Sequence, residues 1–235
     1  MKLLVSVVDA GEARAAAEAG ADMVDVKNPA EGSLGAPTPA VIASVRAAVP
    51  AELPVSAAIG DMPNLPGTAA LAALGAARSG ATFVKVGLWG VATEDAAVRL
   101  LRAVADAVAD VPSAIVVAAA YADAQRVAPA PLTPELLPRV ARAAGVGACL
   151  LDTAVKDGRG LLGWLGPDAL AALVADAHAA DLEMALAGAL RAEDLPVVRD
   201  TNADIAGVRS AACRDGRRSG RLDAARVRAL IAACA

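Results

Sequence analysis

The chain has 235 residues, of which 57% are hydrophobic and 20% are charged, and its aromatic residues are two Trp, one Tyr and one Phe. The apolar content and its periodicity exclude a disordered or collagen-like chain, and the length predicts one large domain with a core of Ala, Val and Leu. The formal net charge of −4 argues against a general nucleic-acid partner.

Eight apolar runs of strand length alternate with eight Ala-rich segments of helix length. The predicted strands are 3–7, 23–27, 55–59, 83–87, 115–121, 148–152, 183–187 and 204–208. The predicted helices are 10–19, 38–48, 67–79, 94–109, 134–144, 167–179, 191–200 and 223–233. This alternation predicts an α/β protein in which residues 1–235 form a single (β/α)8 TIM barrel; an open doubly wound sheet is the main alternative. No G-x-G-x-x-G follows the first strand, so a dinucleotide site is not expected.

Several residues mark the predicted helix ends. Gly20, Gly80 and Gly145 each follow a helix and precede a strand, which is typical of a glycine that lets a helix end in the left-handed conformation. Thr93 and Pro167 are predicted to begin helices.

Residues 60–68, after the third predicted strand, are rich in Gly and Pro. This composition predicts a loop on the active-site side of the barrel rather than a strand or helix. Two roles stay open: a lid over the site, or a turn in which Asp61 caps its neighbour.

The sequence contains no stretch of about 18 uncharged apolar residues, and Asp9 interrupts the apolar N-terminal run too early for a signal-peptide core. We therefore expect a cytoplasmic protein with no membrane partner. Cys149, Cys213 and Cys234 are odd in number and lack C-x-x-C spacing, so we interpret them as small apolar residues rather than as disulfides or a zinc site.

Charged residues occur inside predicted strands that a barrel covers on both faces. Asp25 and Lys27 are two positions apart and share one face of the second strand, opposite Val24 and Val26. Lys85 has the same position between valines in the fourth strand. If the valines face the helices, the charged groups face the barrel axis near the C-terminal ends of the strands, where barrel active sites lie.

Asp152 ends the sixth strand and Lys156 follows it, which adds a third amine to the same rim. Burial and a neighbouring cation lower the pKa of a lysine, and the free amine is a nucleophile towards carbonyl groups. The lysines therefore predict Schiff-base chemistry. The structural alternative is that Asp25 and Lys27 only form an ion pair with each other.

The turns after the last two strands are predicted to bind phosphate through small residues and one arginine: Gly188, Ala189, Gly207, Arg209 and Ser210. Small residues let backbone N–H groups approach an anion, and Arg209 would add a bidentate contact. If Arg209 does not bind the phosphate, the basic run over residues 214–221 is the next candidate for the phosphate site.

Tyr121, with Asp123 just beyond it at the end of the fifth strand, is predicted to contact substrate, because its hydroxyl can donate or accept a hydrogen bond. His178, the only histidine, falls near the end of an outer helix and is interpreted as structural.

Segments along nearly the whole chain carry the motifs of one family. They are residues 25–29 with 31–36, 85–88, 121–123, 151–154 with 156–158, 186–188, and 207–209 with 211–213. The string K-N-P-x-x-G-S-L-G-A that begins at Lys27 is the most specific. In these segments the chain resembles the (5-formylfuran-3-yl)methyl phosphate synthases, which act early in methanofuran biosynthesis.

This resemblance implies a lyase that joins two molecules of glyceraldehyde 3-phosphate into a furan, with loss of phosphate and water. The family's Schiff-base lysine matches Lys27, and its proton acceptor matches Lys85. Asp25 would hold or relay a proton beside Lys27, while Asp152 and Lys156 would orient the second triose. A triose phosphate is the implied partner, no metal or other cofactor is implied, and self-association into a homo-oligomer stays open.

Two other functions fit the same residues. One is a class I aldolase or phosphosugar isomerase on the same barrel. The other is a barrel that binds a phosphorylated metabolite without catalysing a reaction. Covalent trapping by borohydride separates the enzymes from the binding protein, and an ultraviolet-absorbing product separates furan synthesis from aldol chemistry.

Overall fold

Eight parallel strands pair in chain order and close into a barrel, with helices on its outer side, in a computed structural model that describes residues 1–234. The strands are Lys2–Val7 (β1), Met23–Val26 (β2), Val55–Pro63 (β3), Phe83–Gly90 (β4), Ile115–Tyr121 (β5), Ala148–Asp152 (β6), Glu183–Leu186 (β7) and Ile205–Val208 (β8). The helices are Ala10–Glu18 (α1), Pro39–Ala48 (α2), Pro66–Arg78 (α3), Glu94–Val108 (α4), Leu137–Ala144 (α5), Pro167–Ala179 (α6), Leu195–Asp200 (α7) and Ala224–Cys234 (α8). The predicted TIM barrel is confirmed.

Alternating residues of each strand face two different environments. Val24 and Val26 of β2 belong to the large apolar layer between the strands and the helices, together with Val84 and Val86 of β4. Asp25 of β2 points the other way, into the barrel. The period of two along a strand therefore places the charged residues on the axis, as predicted.

The predicted helix signals occur where expected. Gly20, Gly80 and Gly145 have φ angles of 96°, 100° and 72°, a region that residues with a Cβ rarely adopt. Thr93 caps α4 by accepting a hydrogen bond from the N–H of Ala96. Two predicted helices, 134–144 and 191–200, begin with a short 3-10 turn. The α-helices α5 and α7 are therefore shorter than predicted.

The prediction of a loop at residues 60–68 is wrong. β3 continues to Pro63 because β4 is nearly as long and offers it a partner, with Asp61 opposite Gly87 and Pro63 opposite Gly90. The register shifts twice along this pair, which accommodates the irregular sequence. A Cβ on Gly90 would lie 2.6 Å from the Cα of Pro63, so only glycine allows this approach.

His178 lies in the last turn of α6 on the outside of the barrel, where its Nε2 lies 2.9 Å from Oδ2 of Asp204, in keeping with the structural role expected of it. The three cysteines are buried and unpaired with one another. Among residues 1–234, no helix is long and apolar enough to cross a membrane.

Candidate active site

A cavity of about 200 Å³ opens at the C-terminal ends of the strands. All five residues predicted to be catalytic line it: Asp25, Lys27, Lys85, Asp152 and Lys156. Five of the residues predicted to bind substrate or phosphate also line it: Gly188, Ala189, Gly207, Arg209 and Ser210. Residues from five strand ends, those of β2, β4, β6, β7 and β8, thus converge on one site, as the barrel topology requires.

Lys27, at the end of β2, is the cavity lysine without an ionic partner. Its side chain is largely buried, with the residue 9% exposed, and within residues 1–234 its amine makes no hydrogen bond or salt bridge. Burial lowers the pKa of this amine to about 8, against the attraction of Asp25 and Asp152 and with the help of repulsion from Lys85 and Lys156. About a tenth of Lys27 is therefore the neutral, nucleophilic amine at pH 7, against less than about a thousandth for an ordinary lysine.

Asp25 and Lys85 form a buried ion pair below Lys27. The Nζ of Lys85 lies 2.5 Å from Oδ1 of Asp25, and the hydroxyl of Ser6 donates to Oδ2 at 3.0 Å. Burial acts to raise the pKa of Asp25, but the charges of Lys85 and Lys27 outweigh it and hold the pKa below its usual value. Asp25 is thus a carboxylate whose direct partner is Lys85, not Lys27.

A second ion pair lies on the β6 side of the cavity. The Nζ of Lys156 donates to Oδ1 of Asp152 at 2.6 Å and to the hydroxyl oxygen of Thr153 at 3.1 Å. The pKa of Asp152 lies below its usual value, because the charges of Lys156 and Lys27 outweigh the effect of burial. Lys27 therefore faces two carboxylates, each of which is already neutralised by another lysine.

Gly188 and Ala189 form a backbone turn on the cavity wall after β7. Their φ angles are 114° and 50°, and the second value is a strained conformation for a residue with a Cβ. The N–H groups of both residues have no acceptor within the described part of the chain. Such a pair of unengaged donors beside a cavity suits an anion.

Comparison with known proteins identifies the family. A family model described as 4-HFC-P synthase matches residues 3–231. The chain belongs to the 4-HFC-P synthase family. It is 48% identical over 236 residues to the (5-formylfuran-3-yl)methyl phosphate synthase of Methanocaldococcus jannaschii, covering 100% of each chain. It is 49% identical over 219 residues to the protein of the same name from Methanopyrus kandleri, covering 93% of this chain and 92% of that one.

Solved structures support the fold of this synthase family member. The chain superposes on 3-hexulose-6-phosphate synthase with a TM-score of 0.63 at 22% identity, covering 100% of both chains. It superposes on phosphoribosyl anthranilate isomerase from Thermus thermophilus with a TM-score of 0.63 at 18% identity, covering 99% of this chain and 98% of that one. These likenesses show the barrel alone, whereas the sequence relatives are named as synthases, so the chain is an enzyme of the 4-HFC-P synthase family.

The family motif after β2 has a physical explanation in its contacts. The N–H groups of Ser33 and Leu34 donate to the carboxylate of Asp61, at 2.8 Å for Ser33. The hydroxyl of Ser33 donates to the carbonyl of Thr153 at 2.8 Å. Gly32 has a φ of 130°, and a Cβ there would lie 2.2 Å from Oδ2 of Asp61. Asp61 therefore fixes this loop against the barrel mouth and does not cap its own neighbour.

The bidentate phosphate contact expected of Arg209 in this 4-HFC-P synthase family member needs correction. Its Nε donates to the carbonyl of Arg218 at 2.9 Å. Its Nη1 donates to the carbonyl of Ser6 and to Oε2 of Glu12 at 2.5 Å. Its Nη2 donates to the carbonyl of Gly220 and to the carboxylate of Glu12. A guanidinium has five N–H groups, and all of them are engaged. Arg209 lines the cavity but offers an anion no free donor.

Tyr121 and Asp123 do not line the cavity, contrary to the substrate contact expected of them. Tyr121 is fully buried, and its hydroxyl donates to Oδ1 of Asp61 at 2.5 Å. The carboxylate of Asp123 accepts from the N–H groups of Ala154 and Val155 at 2.5 and 2.9 Å. Both residues support the loops that form the cavity wall.

Two further residues line the cavity: Ser6, which is not among the predicted site residues, and Arg218, which is predicted only as a secondary candidate. Ser6 lies opposite Asp25 in the β1–β2 register, and its position as a hydroxyl within an apolar strand was a usable signal. Arg218 lines the cavity from the loop after β8, where no periodicity predicts the direction of a side chain.

Proposed function

We propose that this protein is a lyase that condenses two molecules of glyceraldehyde 3-phosphate into (5-formylfuran-3-yl)methyl phosphate through a Schiff base on Lys27, as an early step of methanofuran biosynthesis. The observation that carries the proposal is the amine of Lys27, which is buried, has no ionic partner within the described residues, has a pKa lowered to about 8 and lines the cavity. The names of the relatives supply the product.

Imine formation uses Lys27 as nucleophile and Lys85 as acid. The neutral amine of Lys27 adds to the aldehyde carbon, and the resulting carbinolamine must lose its hydroxyl as water. Lys85, whose Nζ lies 2.5 Å from Oδ1 of Asp25, donates the proton that this departure needs. The products are a protonated imine on Lys27, one water and a neutral Lys85.

Neutral Lys85 is then the base. The protonated imine withdraws electrons, so the neighbouring carbon loses a proton to the amine of Lys85 and the imine becomes an enamine. Asp25 stabilises the ammonium that re-forms on Lys85. One lysine thus acts first as acid and then as base, which reconciles its ion pair with the proton-acceptor role implied by the family resemblance.

Carbon–carbon bond formation involves the second ion pair. The enamine on Lys27 expels the phosphate from the third carbon of its triose, and the enol carbon that results attacks the central carbon of a second triose phosphate, isomerised to its ketone form. The aldehyde of the first triose is thereby kept as the formyl group. Lys156, at 2.6 Å from Asp152, is the cation placed to orient that ketone, to protonate the new alkoxide and to neutralise the phosphate that leaves. Ring closure releases Lys27 as an amine, and the balance from two trioses is one furan, one phosphate and two waters.

Incubation with glyceraldehyde 3-phosphate tests the proposal. The expected result is a product with the mass of the phosphomethyl furan aldehyde and strong ultraviolet absorption, with inorganic phosphate released in equal amount. A Schiff-base aldolase would give a covalent adduct after borohydride but no furan, and a binding protein would give neither. The Lys27→Arg variant, which keeps the charge but cannot form an imine, is the matched control.

A further inference from the structure

Five cationic side chains line the cavity: Lys27, Lys85, Lys156, Arg209 and Arg218. Three of them are paired with a carboxylate, namely Lys85 with Asp25, Lys156 with Asp152, and Arg209 with Glu12. Within the described residues, Lys27 and Arg218 have no carboxylate partner. Since Lys27 is the nucleophile, Arg218 is the cation left to balance a substrate that carries a dianionic phosphate.

Arg218 is half-buried and keeps free donors. Its Nη2 donates to the carbonyl of Gly32 at 2.7 Å, which reaches across the cavity mouth to the loop after β2. Its Nε and Nη1 have no acceptor in the part of the chain that the structure describes. Burial lowers the pKa of Arg218, because part of its water shell is removed without a compensating carboxylate contact. An anion bound at this position would stabilise the buried charge of Arg218 in place of the lost water.

The loop that carries Arg218 is well defined. Cys213 and Leu222 form an antiparallel bridge at its base, and the N–H of Arg214 donates to the carbonyl of Arg221 at 2.9 Å. A Cβ on Gly220 would lie 2.1 Å from Oδ1 of Asp215, so these two residues pack closely across the loop. Residues 214–221 therefore form a short closed hairpin, which we call the arginine loop.

The buried pair of Arg209 and Glu12 holds the arginine loop in place. Arg209 donates to the backbone carbonyls of Arg218 and Gly220 at 2.9 and 2.7 Å. Glu12 accepts from the N–H of Leu222 at 3.1 Å. The carbonyl of Arg218 itself is thus bound to the barrel, which fixes where its side chain starts.

We propose that Arg218 binds the phosphoryl group of a triose phosphate in the cavity, and that Arg209 with Glu12 is the positioning pair that holds Arg218 over it. The N–H groups of Gly188 and Ala189 line the same cavity and supply further donors. The identity of the ligand rests on the proposed function. The assignment of Arg218 rests on the charge pairing within the cavity.

Borohydride trapping with two aldehydes tests this assignment. Arg218→Ala should raise the glyceraldehyde 3-phosphate concentration that half-saturates trapping by about 10- to 100-fold, as expected for lost charge-assisted hydrogen bonds. With unphosphorylated glyceraldehyde the variant should trap like wild type. Arg217→Ala is the matched control, since Arg217 is exposed and contacts Asp215 on the same loop, and it should change neither value.

Titration with inorganic phosphate, followed by calorimetry, separates this inference from the proposed function. Wild type and Arg217→Ala should bind phosphate, and Arg218→Ala should lose that binding. Phosphate binding that depends on Arg218 would support the inference even if no furan forms. Trapping of glyceraldehyde 3-phosphate by Arg218→Ala at wild-type concentrations, or no binding of phosphate to wild type, would overturn it.

Arg209→Lys tests the positioning role. Lysine keeps a cation beside Glu12 but cannot reach both loop carbonyls, so half-saturation should rise for the phosphorylated triose and not for glyceraldehyde. Adding Arg209→Lys to Arg218→Ala should have little further effect, because both act on one contact. Equal losses with both aldehydes, or fully additive losses, would show that Arg209 is only structural.

Discussion

Two buried charge clusters in this barrel consist of similar residues but have different roles. At β2 and β4, the cluster of Asp25, Lys27 and Lys85 has two amines for one carboxylate, so one amine is left without a partner. Between β8 and α1, the pair of Arg209 and Glu12 has every donor of the guanidinium satisfied. The first cluster can react with a carbonyl compound, and the second holds the arginine loop in place.

The difference shows that burial of charge is a poor guide to chemistry by itself. A buried ion pair with complete hydrogen bonding is stable and inert, while a buried amine without a partner has its pKa lowered and becomes a nucleophile. The count of partners around each cation therefore distinguishes the two clusters better than their depth does.

Lys27→Arg should have the largest effect on activity. Arginine keeps a positive charge in the cavity but stays protonated and forms no imine, so turnover should fall by at least about 10³-fold. Steady-state assay of furan formation measures this loss, and circular dichroism checks that the fold is retained. Turnover above a tenth of wild type would argue against covalent catalysis.

Arg209→Ala should affect stability strongly. It leaves Glu12 as a buried carboxylate without the guanidinium that compensates it, so the free energy of unfolding should fall by about 3–5 kcal/mol. Urea unfolding measures the change, and Arg217→Ala on the exposed side of the arginine loop should stay within about 0.5 kcal/mol of wild type. An unfolding free energy for Arg209→Ala equal to that of wild type would contradict the assignment of this pair as structural.

Lys85→Arg separates a proton-transfer role from a charge effect. Arginine preserves the cation beside Asp25 but cannot accept a proton, so turnover should fall by about a hundredfold or more. The variant should form the trappable adduct at Lys27 only slowly, because arginine does not donate the proton that loss of water needs. Its substrate should not exchange the carbon-bound proton with deuterated solvent. An active variant that exchanges protons would mean that Lys85 acts through its charge alone.

A change of pH should alter the rate of adduct formation less than the substitutions above alter turnover or stability. Only the neutral amine of Lys27 attacks the aldehyde, so the rate should rise about tenfold per pH unit below the pKa and level off above about 8. Lys156→Met removes a repelling cation and should move this midpoint upwards, towards the usual lysine value. A wild-type rate that still rises steeply near pH 10.5, the ordinary lysine value, would show that the pKa is not lowered.

Periodicity explains what was predictable from the sequence. The alternation of Asp25 and Lys27 with valines, and of Lys85 with its neighbouring valines, depends only on the geometry of a strand, and the structure places all three side chains as expected. The partners of Arg209 and the direction of Arg218 depend on the path of a loop and on contacts between residues about 200 positions apart in the chain, such as Arg209 with Glu12. No local pattern encodes such contacts.

Peptide mapping of the borohydride-reduced adduct tests the central claim most directly. After incubation with glyceraldehyde 3-phosphate and reduction, the account predicts one added triose phosphate per chain, located on Lys27 alone, because Lys85 and Lys156 are engaged by carboxylates. An adduct on Lys85 or Lys156 with Lys27 unmodified, or no adduct on any lysine, would contradict the claim that the unpaired amine is the one that reacts.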